Sequence, residues 1–172
     1  MKIPLHYVLG IGLVLLITAL QACTVANTTP SCSPDAFSIY LTAEPMNGGS
    51  VLKADLNKVR VEAAPIIASQ DIIAFEQQKN DLTLVPAARK RLIELKVPTD
   101  GRAFIICSEG KRLGAGAFWT PLSSASFDGL TILQPFSPEE RSVHFSNSYP
   151  NGQSQIDDLK VLKALERAGK LR

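Results

Sequence analysis

The sequence predicts one α+β domain, a mostly antiparallel sheet carrying one packed helix, followed by a linker and a C-terminal helix. Three observations lead there. Short segments that alternate apolar and polar residues recur between Phe37 and Leu133, separated by Gly, Asn, Asp and Pro. One stretch among them, Val85 to Leu95, has helical spacing instead. At 172 residues, with 45% hydrophobic and 20% charged residues, the chain has the length and composition of a single globule. Its formal charge of +2 is no electrostatic footprint for nucleic acid, so that class of partner is not expected.

The N-terminus MKIPLHYVLGIGLVLLITALQAC places Lys2 before an uncharged apolar core from Tyr7 to Leu20. Leu20-Gln21-Ala22-Cys23 then matches a lipobox, where a signal peptidase cuts before a cysteine already diacylated on sulfur. That chemistry needs a thiol to accept the acyl chain and a small residue before it; Cys23 and Ala22 supply them, although Gln21 is larger than usual. The alternative is an uncleaved signal anchor, but the apolar core is shorter than the roughly 20 residues that span a bilayer. Two or three acyl chains, such as palmitate, hold a protein firmly at about 0.8 kcal/mol per buried methylene. The expected location is the cell envelope, lipid-anchored to a membrane outside the cytoplasm. Thr24 follows the cysteine, and no inner-membrane retention signal is read there.

Residues 24–34, TVANTTPSCSP, are small, polar and Pro-containing, and read as a tether. Lipidation of Cys23 leaves Cys32 and Cys107. In an oxidising envelope two such thiols commonly bridge; a buried free Cys107 is the other reading. Phe37, Ile39 and Leu41 alternate with Ser38, Tyr40 and Thr42 as a half-buried strand. Met46 to Ser50 is turn material, and Val59, Val61 and Ala63 alternate with Arg60 and Glu62 as a second strand ended by Pro65. Ile72 to Gln78, Asn80-Asp81 and Leu82 to Leu84 read as a hairpin.

The helix is expected over Pro86–Lys96, with Pro86 at its first position and Val85, Ala88, Leu92 and Leu95 on one face. Val85 has no side-chain oxygen to cap it. The basic trio Arg89-Lys90-Arg91 reads as a solvated face, or less simply as a contact for anionic lipid. Two strands follow, joined at Glu109-Gly110-Lys111, and Gly114 and Gly116 leave one face of the second without side chains. This is not a dinucleotide fingerprint, because Ala117-Phe118-Trp119 stands where a further glycine would be needed. Asp128-Gly129 turns the chain into a last strand. Residues 136–153 are polar and turn-rich and are expected to be a flexible linker. Ser154 then caps a helix whose stripe is Ile156, Leu159, Leu162, Leu165 and Ala168, stopped by Gly169. That helix either docks on the domain or serves as a handle for a partner. The expected layout is therefore a signal peptide over 1–22, a tether over 23–36, the folded head over 37–135, the linker over 136–153 and a C-terminal helix over 154–169.

Chemistry is thinly represented. After the leader His144 is the only histidine, and it falls in the expected linker, so no Ser-His-Asp or Cys-His site is read. One histidine and two cysteines without paired spacing give no metal site, and no cofactor is expected. Glu62, Asp71 and Glu76 lie on expected strands and could project together, without any spacing that favours acid–base work. The candidate binding surface is Phe118, Trp119, Leu122, Ser123 and Ser124: aromatic area beside Pro121 and hydroxyls. The plainer reading is that Phe118 and Trp119 close a small core.

The order of helix, Phe104-Ile105-Ile106-Cys107 strand, glycine turn, Gly116–Ser124 loop (GAFWTPLSS) and Ser126–Gly129 turn resembles the head of the first periplasmic domain of SecD, a subunit of the bacterial preprotein translocase. It is more closely similar to small envelope lipoproteins related to that head, over about Phe37 to Leu133. The family often has Thr where Val85 stands. The resemblance implies an α+β head with an envelope or secretion protein as partner, and it does not imply SecD's proton-coupled export, which uses a bundle of membrane helices. Two functional readings follow: a non-catalytic binding module on the membrane, or a small envelope hydrolase using carboxylates or a loop serine such as Ser123.

Overall fold

The computed structural model describes residues 31–135, 137–150, 152 and 158–172. Its centre is an eight-stranded, mostly antiparallel and nearly barrel-shaped sheet. The strands are β1 (Ser38–Leu41), β2 (Ile67–Ala68), β3 (Ile72–Glu76), β4 (Asp81–Leu84), β5 (Arg102–Ser108), β6 (Lys111–Trp119), β7 (Leu130–Leu133) and β8 (Ser142–Ser146). The α-helices described with them are α1 (Gly48–Leu52), α2 (Pro86–Glu94) and, after the last strand, α3 (Leu159–Arg167). The spatial order is β2-β1-β5-β6-β7-β8-β4-β3. The two outermost strands, β2 and β3, are consecutive in sequence and separated only by a 3-10 turn at Ser69–Asp71. Among the described residues no helix is long and apolar enough to cross a membrane.

The alternation seen in the sequence sorts side chains between two layers. Phe37, Ile39, Leu41, Phe104, Ile106 and Phe118 enter the main core with Ala88 and Leu92 of α2 and Val161, Ala164 and Leu165 of α3. Ala103, Ile105 and Cys107 point the other way, into a second cluster with Tyr40, Val51, Val59 and Val61. So β1 and β5 are buried on both faces. The hairpin between β5 and β6 turns at Glu109 and Gly110, with φ of 51° and 76°. Two successive positive φ values suit a tight hairpin turn and explain the glycine there.

Among the eight strands described, β6 and β7 are the parallel neighbours, with Gly116 opposite Leu130 and Trp119 opposite Leu133. A parallel return normally takes a dozen or more residues. Here it is made by the ten residues 120–129, folded back beneath Trp119. Gly116 is what lets the strands meet. A Cβ there would collide with the Leu130 carbonyl and lie 2.6 Å from the Phe104 ring.

α2 begins at Pro86 with no side-chain cap at Val85, and it ends two residues earlier than the spacing suggests. Its end is closed from outside: the Gln134 side-chain amide donates to the carbonyls of Leu92 (2.8 Å) and Leu95 (2.6 Å). These are the orphan acceptors that a helix end leaves. Asn47 accepts from the Ser50 amide at 2.8 Å and turns Met46–Ser50 into the start of α1 instead of a plain turn. The expected strand Val59–Ala63 is reduced to a single bridge, Thr42 with Val61. The segment around it is fastened by Arg112, whose guanidinium donates to the carbonyls of Leu56 and Val59. Burial pushes the Arg112 pKa down, with the nearby Asp55 carboxylate opposing it.

The largest departure is the expected linker. Its middle is β8, paired with β7 and β4 across the sheet. Val143 and Phe145 are buried and alternate with Ser142 and His144, a period-two signal hidden by the polar, turn-forming residues around it. α3 docks: Val161, Leu162, Ala164 and Leu165 are buried. Its cap is Asp158, which accepts from the amides of Lys160 and Val161 at 2.9 and 3.3 Å. The expected cap, Ser154, lies outside the described residues.

Cys32 and Cys107 are disulfide-bonded. Thermal denaturation of Gly116→Ala should show a loss of about 1–3 kcal/mol, the usual penalty of overpacking, because a backbone carbonyl blocks the added methyl. Paired Cys32→Ser and Cys107→Ser substitutions should lower stability by about 2–5 kcal/mol in denaturant titrations, and reductant should lower the native protein alike.

Candidate functional site

The residues singled out from sequence do not form one surface. Phe118 is fully buried, edge-on to Phe104 with centroids 5.1 Å apart. Trp119 is 2% exposed and stacks on Phe127 at 5.1 Å, with Tyr149 tilted beside it at 5.8 Å. Both therefore leave the candidate binding surface and belong to packing. The reason is the parallel return, which lays Phe127 over the indole.

Ser123 is also buried. Its hydroxyl donates to the Thr99 carbonyl and accepts from the Ala125 amide at 3.1 Å, so it holds the loop instead of facing a ligand. Leu122 and Ser124 remain exposed, and Leu122, at 80%, is the most exposed of the large apolar side chains described. The Tyr149 hydroxyl lies 3.2 Å from the carbonyls of both Pro121 and Ser123, tying the loop down on either side of Leu122. Tyr149 carried no signal of its own in sequence.

The three carboxylates that could have met are kept apart by separate partners. Glu62 faces Arg102 at 3.4 Å, Asp71 faces Arg91 at 2.5 Å, and Glu76 faces Lys79 at 2.6 Å. The Lys79 hydrogen bond and charge hold the exposed Glu76 carboxyl below its usual range and raise Lys79. The basic trio on α2 is likewise divided: Arg91 binds Asp71 and the Ile66 carbonyl, while Lys90 reaches Glu94 at 3.9 Å.

What the structure brings together instead is a small cavity beside the loop, of about 240 Å³. Pro121 and Leu133 give it apolar walls; Asp81, Gln134, Ser142 and His144 add polar ones. Asp81 and His144 are direct cross-strand partners on β4 and β8, with His144 Nδ1 3.0 Å from Asp81 Oδ1. Both are partly exposed. An acceptor on Nδ1 fixes the ring and leaves Nε2 as the group available to something in the cavity. The pair is hidden in the sequence, where His144 falls within the expected linker 136–153. The cue was there: a histidine between Val143 and Phe145 on a strand must face away from the core.

Among the described residues no group of three or more His, Cys, Asp or Glu is placed to hold a metal ion. Cys23, the expected lipidation site, lies outside the described residues.

Tyr149→Phe removes both clamps on the loop without opening the aromatic stack. Amide exchange at residues 122–126 should then rise by roughly tenfold while global stability falls by only about 1 kcal/mol. No protein-family profile, curated protein or solved structure matches the chain.

Proposed function

We propose that the chain is a lipid-anchored envelope protein whose head is a non-catalytic binding module, with the cavity beside Pro121 and the exposed Leu122 as its contact region. The observation that carries this reading is how that end is built. An aromatic stack, a buried serine and a tyrosine clamp hold one exposed apolar side chain next to a small concave site. Rigid support beneath an exposed anchor is what binding sites need, since little ordering entropy is then lost on contact. Two further points support the cellular setting. The Ala22-Cys23 junction suits lipidation, and the Cys32–Cys107 bridge suits an oxidising compartment. The link to protein export rests on the SecD-head resemblance alone, and would make the partner an envelope or secretion protein.

A second reading is favoured by one observation, the His144–Asp81 pair in the cavity. A histidine oriented by a carboxylate can act as a general base on water, which would make the head a small hydrolase.

Acyl labelling should mark the native protein and disappear in Cys23→Ala. Crosslinking in intact cells should capture a defined envelope protein, with yield reduced at least fivefold by Leu122→Ser and no change in melting temperature. Turnover of an ester, peptide or glycan panel that vanishes in His144→Gln would decide for the hydrolase.

A further inference from the structure

The structure also bears on which end of the head meets the membrane, an inference that rests on the lipid anchor proposed above. The chain enters the fold at the hairpin-turn end of the β5–β6 pair. Ser38, the first residue of β1, is opposite Cys107, and the disulfide fixes Cys32 to the same place. The residues between are fastened there too: the Gly110 amide donates to the Ser33 carbonyl at 2.9 Å and the Glu109 amide to the Asp35 carbonyl at 2.7 Å. The cavity and Leu122 sit at the opposite end. Arg112 is the β6 partner of Cys107, and the strand runs from there to Trp119 before entering the loop. Seven residue steps of about 3.3 Å put the two ends roughly 23 Å apart.

Only the eight residues 24–31 separate Cys23 from Cys32. Fully extended, they reach about 30 Å. A flexible chain of that length averages nearer 16 Å. Turning the cavity toward the lipid would require the tether to run some 23 Å along the side of the head, well beyond its average span. Keeping the hairpin turn toward the lipid requires no such extension.

We propose that the β5–β6 turn, with Ser33, Glu109, Gly110 and Lys111, is the face held against the lipid headgroups, and that the Pro121–Leu122 end points away into the aqueous phase. The disulfide and the Ser33 and Asp35 hydrogen bonds together hold the entry of the chain at this turn. Charge does not drive this pose, since Lys111 stands beside an acidic Glu109 that is itself paired with Arg167 at 3.4 Å. The partner at the cavity is then one arriving from the water side, not the bilayer carrying the protein.

The test uses the full lipidated chain in phosphatidylcholine vesicles containing a headgroup spin-labelled lipid. With Cys23 acylated and Cys32 bonded to Cys107, Lys111→Cys or Leu122→Cys supplies one free thiol for a fluorophore. Quenching should be at least threefold stronger at position 111 than at 122. Equal or reversed quenching in protein that floats with the vesicles overturns the pose and leaves the anchor standing. Protein that does not float overturns the anchor and the pose with it.

Discussion

The close approach of β7 to Gly116 is the constraint on which the rest of the architecture depends. The β6–β7 pair joins β2-β1-β5-β6 to β7-β8-β4-β3, and every other neighbouring pair in the sheet is antiparallel. With no side chain at Gly116, Phe104 can swing across β6 and the Leu130 carbonyl can settle against it. The parallel register then dictates the return loop. Because β7 must restart level with Gly116, residues 120–129 double back, and Phe127 lands on Trp119. The tryptophan is buried by this geometry more than by its own hydrophobicity. Its indole nitrogen illustrates the point: it is enclosed without a hydrogen-bond partner among the described residues, a state that disfavours burial unless packing compensates.

Much of the fold was legible because its elements obey simple periods. The β5–β6 hairpin, the β3–β4 hairpin, β1, and α2 with Pro86 at its head all lie where spacing and turn residues place them. The elements that were not legible share a cause: their structure comes from distant partners. α1 is five residues long and needs the Asn47 cap and the cover of Trp119 and Phe127 beside Gly48. β8 carries only two apolar residues in a polar stretch, and becomes a strand because β7 and β4 leave a gap between them. The Val59–Ala63 alternation holds for the buried Val59 and Val61 but not for the exposed Ala63, and a single bridge from Val61 to Thr42 is all that forms.

The candidate site was legible in the same uneven way. The loop after Trp119 did hold its most prominent feature, but its aromatic content was misleading: the conspicuous rings are scaffold and the plain leucine is what faces water. The polar half of the site could not be read at all without the sheet order. Asp81 and His144 are 63 positions apart and become neighbours only through the β4–β8 register. Cross-strand pairs of this kind depend on topology, which local pattern does not encode.

The seam of the sheet has a consequence for crowding. A strand with unpaired amides invites another chain to extend it, most readily where copies of one protein are crowded. Here β2 offers only two residues. The rim of β3 is already occupied, with the Phe75 amide donating to the Lys170 carbonyl at 2.7 Å and the Gln77 amide to the Arg172 carbonyl at 3.1 Å. The Ser69–Asp71 turn also ties the two rims to each other. Little open backbone is left among the described residues for templated self-assembly, so copies can crowd together without knitting into fibrils.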